Sequence, residues 1–123
     1  MDTINVKVPA SPQYIGVVRL IAAGLASRLG FTIDEIDDLK IAVDELASYL
    51  TGTQGRDGVL EISFGVEDTR IEISGRGRFA PGDKVRTELT DFSRMILETV
   101  ADEASLQQQD GTPTFVLVKS TRS

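Results

Sequence analysis

Residues Ile36 to Leu50, IDDLKIAVDELASYL, decide the fold of this chain. Ile36, Leu39, Val43, Leu46 and Leu50 recur at alternating three- and four-residue steps, which lays one continuous apolar stripe along a helix. Asp44 and Glu45 break the apolar run between Ile41-Ala42-Val43 and Leu46-Ala47. They can be two solvated acids on an ordinary amphipathic helix. Alternatively, Glu45 sits at the helix edge facing a pocket, where a carboxylate can act as a general base. The stretch alone leaves both readings open.

Working outward, Thr32-x-x-Glu35 is a capping box that opens this helix. Upstream, Ser11 offers an N-cap with Pro12 at the first helical position, where its missing N–H costs nothing. That first helix is expected to run to about Leu29, burying Tyr14, Val18, Ile21, Leu25 and Leu29, with Gly30 closing it. Arg28, at its end, compensates the helix dipole. Asn5 to Val8 alternates and reads as a short strand, and Thr51 to Gly55 as a loop.

Downstream, Val59 to Val66 and Arg70 to Ser74 read as strands around an acidic turn at Glu67-Asp68. Gly75 to Asp83 is rich in Gly and Pro, and polar sequence continues to about Asp91. A third helix is expected over Phe92 to Glu103, with Met95, Ile96, Thr99 and Val100 inward. Ala104 to Gln109 and Thr114 to Lys119 flank Asp110-Gly111, a two-residue hairpin signal. Helices early and strands late predict an α+β two-layer sandwich: a mixed, mainly antiparallel sheet with about three helices on one face. With neither repeat nor linker, residues 1–123 read as a single domain.

Composition narrows the chemistry. With no histidine and no cysteine, the chain has no imidazole base, no thiolate, no disulfide and no His or Cys metal ligand. A net charge of −6 argues against a nucleic-acid backbone as partner and suits a basic protein instead. No run approaches the ~20 apolar residues of a membrane span, and the opening MDTINVKVPA lacks signal-peptide features, so a cytoplasmic location is expected.

The stretch from Val8 to Glu45, together with LETVADEASL (Leu97 to Leu106) and the closing GTPTFVLVKS, resembles the RsbW-type anti-sigma factors. These are bacterial serine-protein kinases on the GHKL ATPase fold. The resemblance implies that fold, a sigma factor and an anti-anti-sigma factor as partners, and a homodimer formed through the first strand and first helix. Arg19 matches a family position on the surface shared by the two partners. Its alternative is a snorkelling arginine on a solvated face.

The resemblance also implies an ATP site, which can be followed residue by residue. Glu45 matches the base that activates the attacking hydroxyl. The Mg²⁺-ligating Asn four residues later is Tyr49 here, whose phenol is a poor substitute for an amide carbonyl. Anchoring on Phe79-Ala80-Pro81 puts Ser74 at the adenine-binding Asp and Arg76 and Arg78 at the two Gly of Asp-x-Gly-x-Gly. A one-residue shift recovers Gly75 and Gly77 but no Asp. The phosphate-loop Gly-Leu-Gly-Leu becomes Asp91-Phe92-Ser93-Arg94, whose acid repels a triphosphate. A lid is expected over about Ala80 to Thr90, carrying Lys84 and Arg86.

Three functions follow as expectations. The leading one is an anti-sigma factor that sequesters a sigma factor in a partner-switching pathway without kinase activity and with no cofactor. The alternative is an active kinase that uses ATP and Mg²⁺, with Glu45 as general base and Asp44 or Asp91 as substitute metal ligand. The third is a pseudo-ATPase docking module for another signalling protein.

Overall fold

In a computed structural model that describes residues 1–122, five strands and three α-helices follow in the order β1 (Asp2–Pro9), α1 (Ile15–Arg28), α2 (Ile33–Thr51), β2 (Gly58–Glu67), β3 (Arg70–Phe79), α3 (Asp91–Val100), β4 (Glu103–Gln109) and β5 (Thr112–Ser120). The strands form one sheet in the order β1-β2-β3-β5-β4. Every pairing is antiparallel, so the mixed sheet allowed by the sequence is here wholly antiparallel. Tight turns explain much of this. At the β4–β5 turn Asp110 and Gly111 both take positive φ, which matches the twist of the hairpin.

Alternation along the strands separates two faces. Leu60, Ile62 and Phe64 of β2, Ile71 and Ile73 of β3, and Phe115 and Leu117 of β5 are buried on one face. Onto it α2 presses Leu39, Val43, Leu46 and Leu50, all fully buried. These are four members of the stripe that opened the sequence reading. α2 lies between α1 and α3 and touches β3 and β5 beneath it. Its capping box is formed: Thr32 accepts from the Glu35 N–H, and Glu35 accepts from the Thr32 N–H. Such a cap is worth about 1 kcal/mol.

Several expectations are corrected. Pro12 opens a short 3-10 turn, Pro12–Tyr14, and not α1 itself, and Ser11 makes no side-chain cap. The changed turn swings Tyr14 outward, and the buried side of α1 is Ile15, Val18, Ala22 and Ala26. Helix α3 ends at Val100 and buries Ser93, Leu97 and Val100, whereas Met95 and Thr99 face solvent. Strand β3, expected to end at Ser74, continues to Phe79 into the segment rich in Gly and Pro. Its glycines are there because Phe115 covers Gly75 and Phe79 covers Gly77, leaving no room for a Cβ at either position.

Candidate functional site

The helix edge that carried the open question about Glu45 meets the start of α3. Glu45 and Tyr49 lie one turn apart on α2 and both are half-buried. Opposite them, Thr90 caps α3, its Oγ1 accepting from the Ser93 N–H at 3.1 Å. Ser93 Oγ donates to Glu45 Oε2 at 2.7 Å. The Tyr49 phenol lies 2.7 Å from Ser93 Oγ and accepts from the Thr90 N–H at 3.1 Å. Thr90 Oγ1 donates to Ser93 Oγ at 3.0 Å. With the Ser93 proton directed at Glu45, the phenol proton points to Ser93, giving a chain that ends on the carboxylate. Burial raises the Tyr49 pKa, but the hydrogen bonds with Ser93 and Thr90 outweigh it, so the phenol lies below its ordinary 10.0.

Three of the residues singled out in the sequence, Glu45, Tyr49 and Ser93, are therefore brought together. Thr90 completes the cluster and was missed. Its signal was present: a threonine three residues before a serine, at a helix start, is an N-cap pattern. Asp91 lies in the first turn of α3 and is exposed, outside these contacts.

Ser74, Arg76 and Arg78 go elsewhere. They alternate with the buried Ile73, Gly75 and Gly77, so they point to the sheet face that carries no helix. There Arg78 Nε donates to Glu61 at 2.6 Å and Arg76 Nε at 3.0 Å. The bond from Arg78, only partly opposed by desolvation and joined by Arg76, holds the Glu61 carboxyl below its ordinary range. The two arginines thus do not fill the helix side of the sheet. The parity of β3 fits the shifted reading, which places Gly75 and Gly77 inward and the fully buried Ile73 where the family has its Asp. Near Gly77 the Arg56 guanidinium stacks over the Phe79 ring at 5.7 Å and donates to the Leu50 carbonyl at 2.8 Å.

On the other flank of α2, Arg19 Nη1 bonds Asp44 Oδ1 at 2.6 Å. This pair stays open, its side chains 39% and 46% exposed. Val17 and the 74% exposed Leu20 lie beside Arg19 in the sequence of α1. The lid segment is irregular, but Val85 is buried and its carbonyl accepts from Gln108 Nε2 at 3.0 Å. Lys84 and Arg86 are exposed.

As arranged, the hydroxyls of Tyr49, Thr90 and Ser93 bond to one another and to Glu45 Oε2. Asp44, a candidate metal ligand in the kinase reading, bonds Arg19 on the flank of α2 toward α1, and not the Glu45 cluster. Among the described residues no group of three or more Asp, Glu, His or Cys side chains could hold a metal ion. No helix among them is long and apolar enough to cross a membrane.

No family model matches the chain. Individual proteins do. It is 33% identical over 129 residues to the serine-protein kinase RsbW of Bacillus subtilis, covering 89% of this chain and 81% of that one. The RsbW of Oceanobacillus iheyensis is 32% identical over 129 residues, 89% of this chain and 82% of its own. That of Bacillus pumilus reaches 42%, over 78 residues that make up 59% of this chain and 48% of the other. With nearly nine-tenths of its length matched at that level, and with the order of elements that the resemblance implied, this chain belongs to the RsbW-type anti-sigma factor and serine-protein kinase family.

Proposed function

We propose that this protein is an anti-sigma factor that acts by protein contact alone. It binds a sigma factor in the cytoplasm, is displaced by an anti-anti-sigma factor through partner exchange, and transfers no phosphate. The observation that carries the reading is the closed cluster of Glu45, Tyr49, Thr90 and Ser93. The residues at the family's base, metal-ligand and phosphate-loop positions bond to each other. Glu45 Oε2 accepts the Ser93 hydroxyl, so the carboxylate is turned to the chain's own serine where a base would meet a substrate hydroxyl. Tyr49 offers a bonded phenol where Mg²⁺ needs an unencumbered carbonyl or carboxylate oxygen. These residues do not fit a Mg²⁺-bridged triphosphate.

Arg19 is the residue proposed for the partner surface. Its bond to Asp44 is exposed, and a pair of that kind exchanges partners at little cost. A carboxylate of either partner protein can take the place of Asp44, with the exposed Leu20 next to Arg19 in the sequence of α1. Two copies of the chain are proposed to pair as a homodimer.

The kinase alternative has one observation in its favour: Glu45 is retained, in a chain whose relatives are named serine-protein kinases. A calorimetric titration with ATP, with Mg²⁺ and then without it, decides between the two. No heat up to millimolar ATP is the expected result. Mg²⁺-dependent binding at micromolar ATP overturns the reading and restores Glu45 as the base.

A further inference from the structure

On the sheet face that carries no helix, the function above leaves a group of cations unused. Register sets Lys7 of β1, Glu61 of β2 and Arg76 of β3 in one transverse row, with Arg78 two residues further along β3. Arg76 and Arg78 both direct Nε to one atom, Glu61 Oε1, at 3.0 and 2.6 Å. Lys7 Nζ approaches the other oxygen of that carboxylate at 3.9 Å. Three cations share one carboxylate, so a charge of +2 is left over, in a chain whose net charge is −6. The other charges of this face, Glu67, Arg70, Glu72, Glu103 and the ammonium of Met1 beside Gly65, lie toward the opposite end of the strands.

Bonding through Nε leaves the Nη groups of both guanidiniums without a hydrogen-bond partner among the described residues, and both side chains are more than half exposed. Glu61 thus holds two planar forks side by side and keeps their outer edges open. Next to them lies a trough of about 610 Å³. That volume is within the ~300–1,000 Å³ of small-ligand sites. The next row, Asn5, Ser63 and Ser74, floors the trough, and these three side chains have no hydrogen-bond partner among the described residues.

We propose that this trough binds a small hydroxylated phosphate monoester, of about the size of a pentose phosphate. The phosphate lies on the Nη edges of Arg76 and Arg78 with Lys7 beside it, and the hydroxyls of the ester bond Asn5, Ser63 and Ser74. Two excess positive charges match the roughly −2 of a phosphate monoester near neutral pH. Two guanidinium forks match its oxygens in shape, where an ammonium offers only a point charge. A carboxylate brings about half that charge, and a triphosphate so much more that the net −6 of the chain repels it. Inorganic phosphate leaves the polar row unused. The site shares no residue with the Glu45 cluster or with Arg19, so it stands whether or not the anti-sigma reading does.

Calorimetric titration of the full chain with ribose 5-phosphate, in the absence of metal, tests this. Binding is expected with a Kd on the order of 100 μM, and inorganic phosphate should bind about tenfold more weakly. Arg76→Gln with Arg78→Gln should weaken ribose 5-phosphate at least about tenfold. Arg76→Lys with Arg78→Lys keeps the charge and the partners of Glu61 but removes the forks. It should still weaken binding about threefold, and it serves if the glutamine variant fails to fold. Ser63→Val with Ser74→Val should weaken ribose 5-phosphate about fivefold and leave inorganic phosphate unchanged. No heat up to about 10 mM ribose 5-phosphate overturns the site, as does binding that is unchanged in both arginine variants. Inorganic phosphate binding as tightly as the ester overturns the part given to the polar row. A phosphoserine peptide that binds more tightly than ribose 5-phosphate assigns the same chemistry to a protein source and overturns the small ester.

Discussion

The two flanks of α2 hold their neighbours by opposite means. Toward α1, Asp44 makes one exposed ion pair with Arg19. Toward α3, Glu45 ends a chain of hydrogen bonds through Ser93, Tyr49 and Thr90, with Ser93 buried. Successive acids on one helix thus meet different fates. An exposed pair gains little from its bond, because water and salt screen it. A closed network in a partly dry site loses much when one member is removed, because the others are left unsatisfied. The first flank is suited to exchange and the second to permanence.

The sharpest way to break this contrast is at Ser93. Ser93→Ala strands Glu45 and Tyr49 together, and should cost about 2–3 kcal/mol in a denaturant titration. Tyr49→Phe should cost about 1 kcal/mol, and the double variant should show coupling of at least about 0.5 kcal/mol. Strict additivity would mean that the cluster is not a network. Arg19→Ala should change stability by no more than about 1 kcal/mol, and the change should shrink in high salt. The same variant should weaken capture of the cognate sigma factor at least about tenfold, where Ser93→Ala acts only through stability.

The smallest expected effect lies at the N-terminus of α2. Glu35 accepts from the N–H groups of Thr32 and Arg122 and from the Thr121 hydroxyl, and these bonds, the Thr32 one foremost, lower its pKa from 4.5 to about 2. A carboxylate with a depressed folded-state pKa stabilises the fold fully above its unfolded value. That contribution fades as pH falls from about 4.5 toward 2. Glu35→Gln should flatten this acid limb of a stability-against-pH curve and leave the neutral region nearly parallel to wild type. An unchanged acid limb would show that the three donors do not act on Glu35.

How far the sequence could be read depended on the period of the signal. The α2 stripe and its capping box are local and regular, and both were legible. So was the Asp110-Gly111 turn, because positive φ at both positions favours those residue types. Strand β3 was read too short because Gly75 and Gly77 resemble a loop until Phe115 and Phe79, one of them distant in sequence, are laid over them. Anchoring on Phe79-Ala80-Pro81 likewise set Ser74, Arg76 and Arg78 at the adenine-binding and glycine positions, although they point to the other face. A shift of one residue moves a strand side chain to the other face. Tyr14 and Met95 were misassigned where a 3-10 turn and a short helix shifted the phase of the apolar stripe.

Asp44 and Glu45 are neighbours in sequence but about 100° apart around the helix axis, one gripping α1 and the other α3. In mechanical terms α2 is an axle with a crank on each side. Leu39, Val43, Leu46 and Leu50, fully buried beneath it, hold that axle against rolling, so the Arg19 bond can open on one side while Glu45 stays on Ser93 at the other.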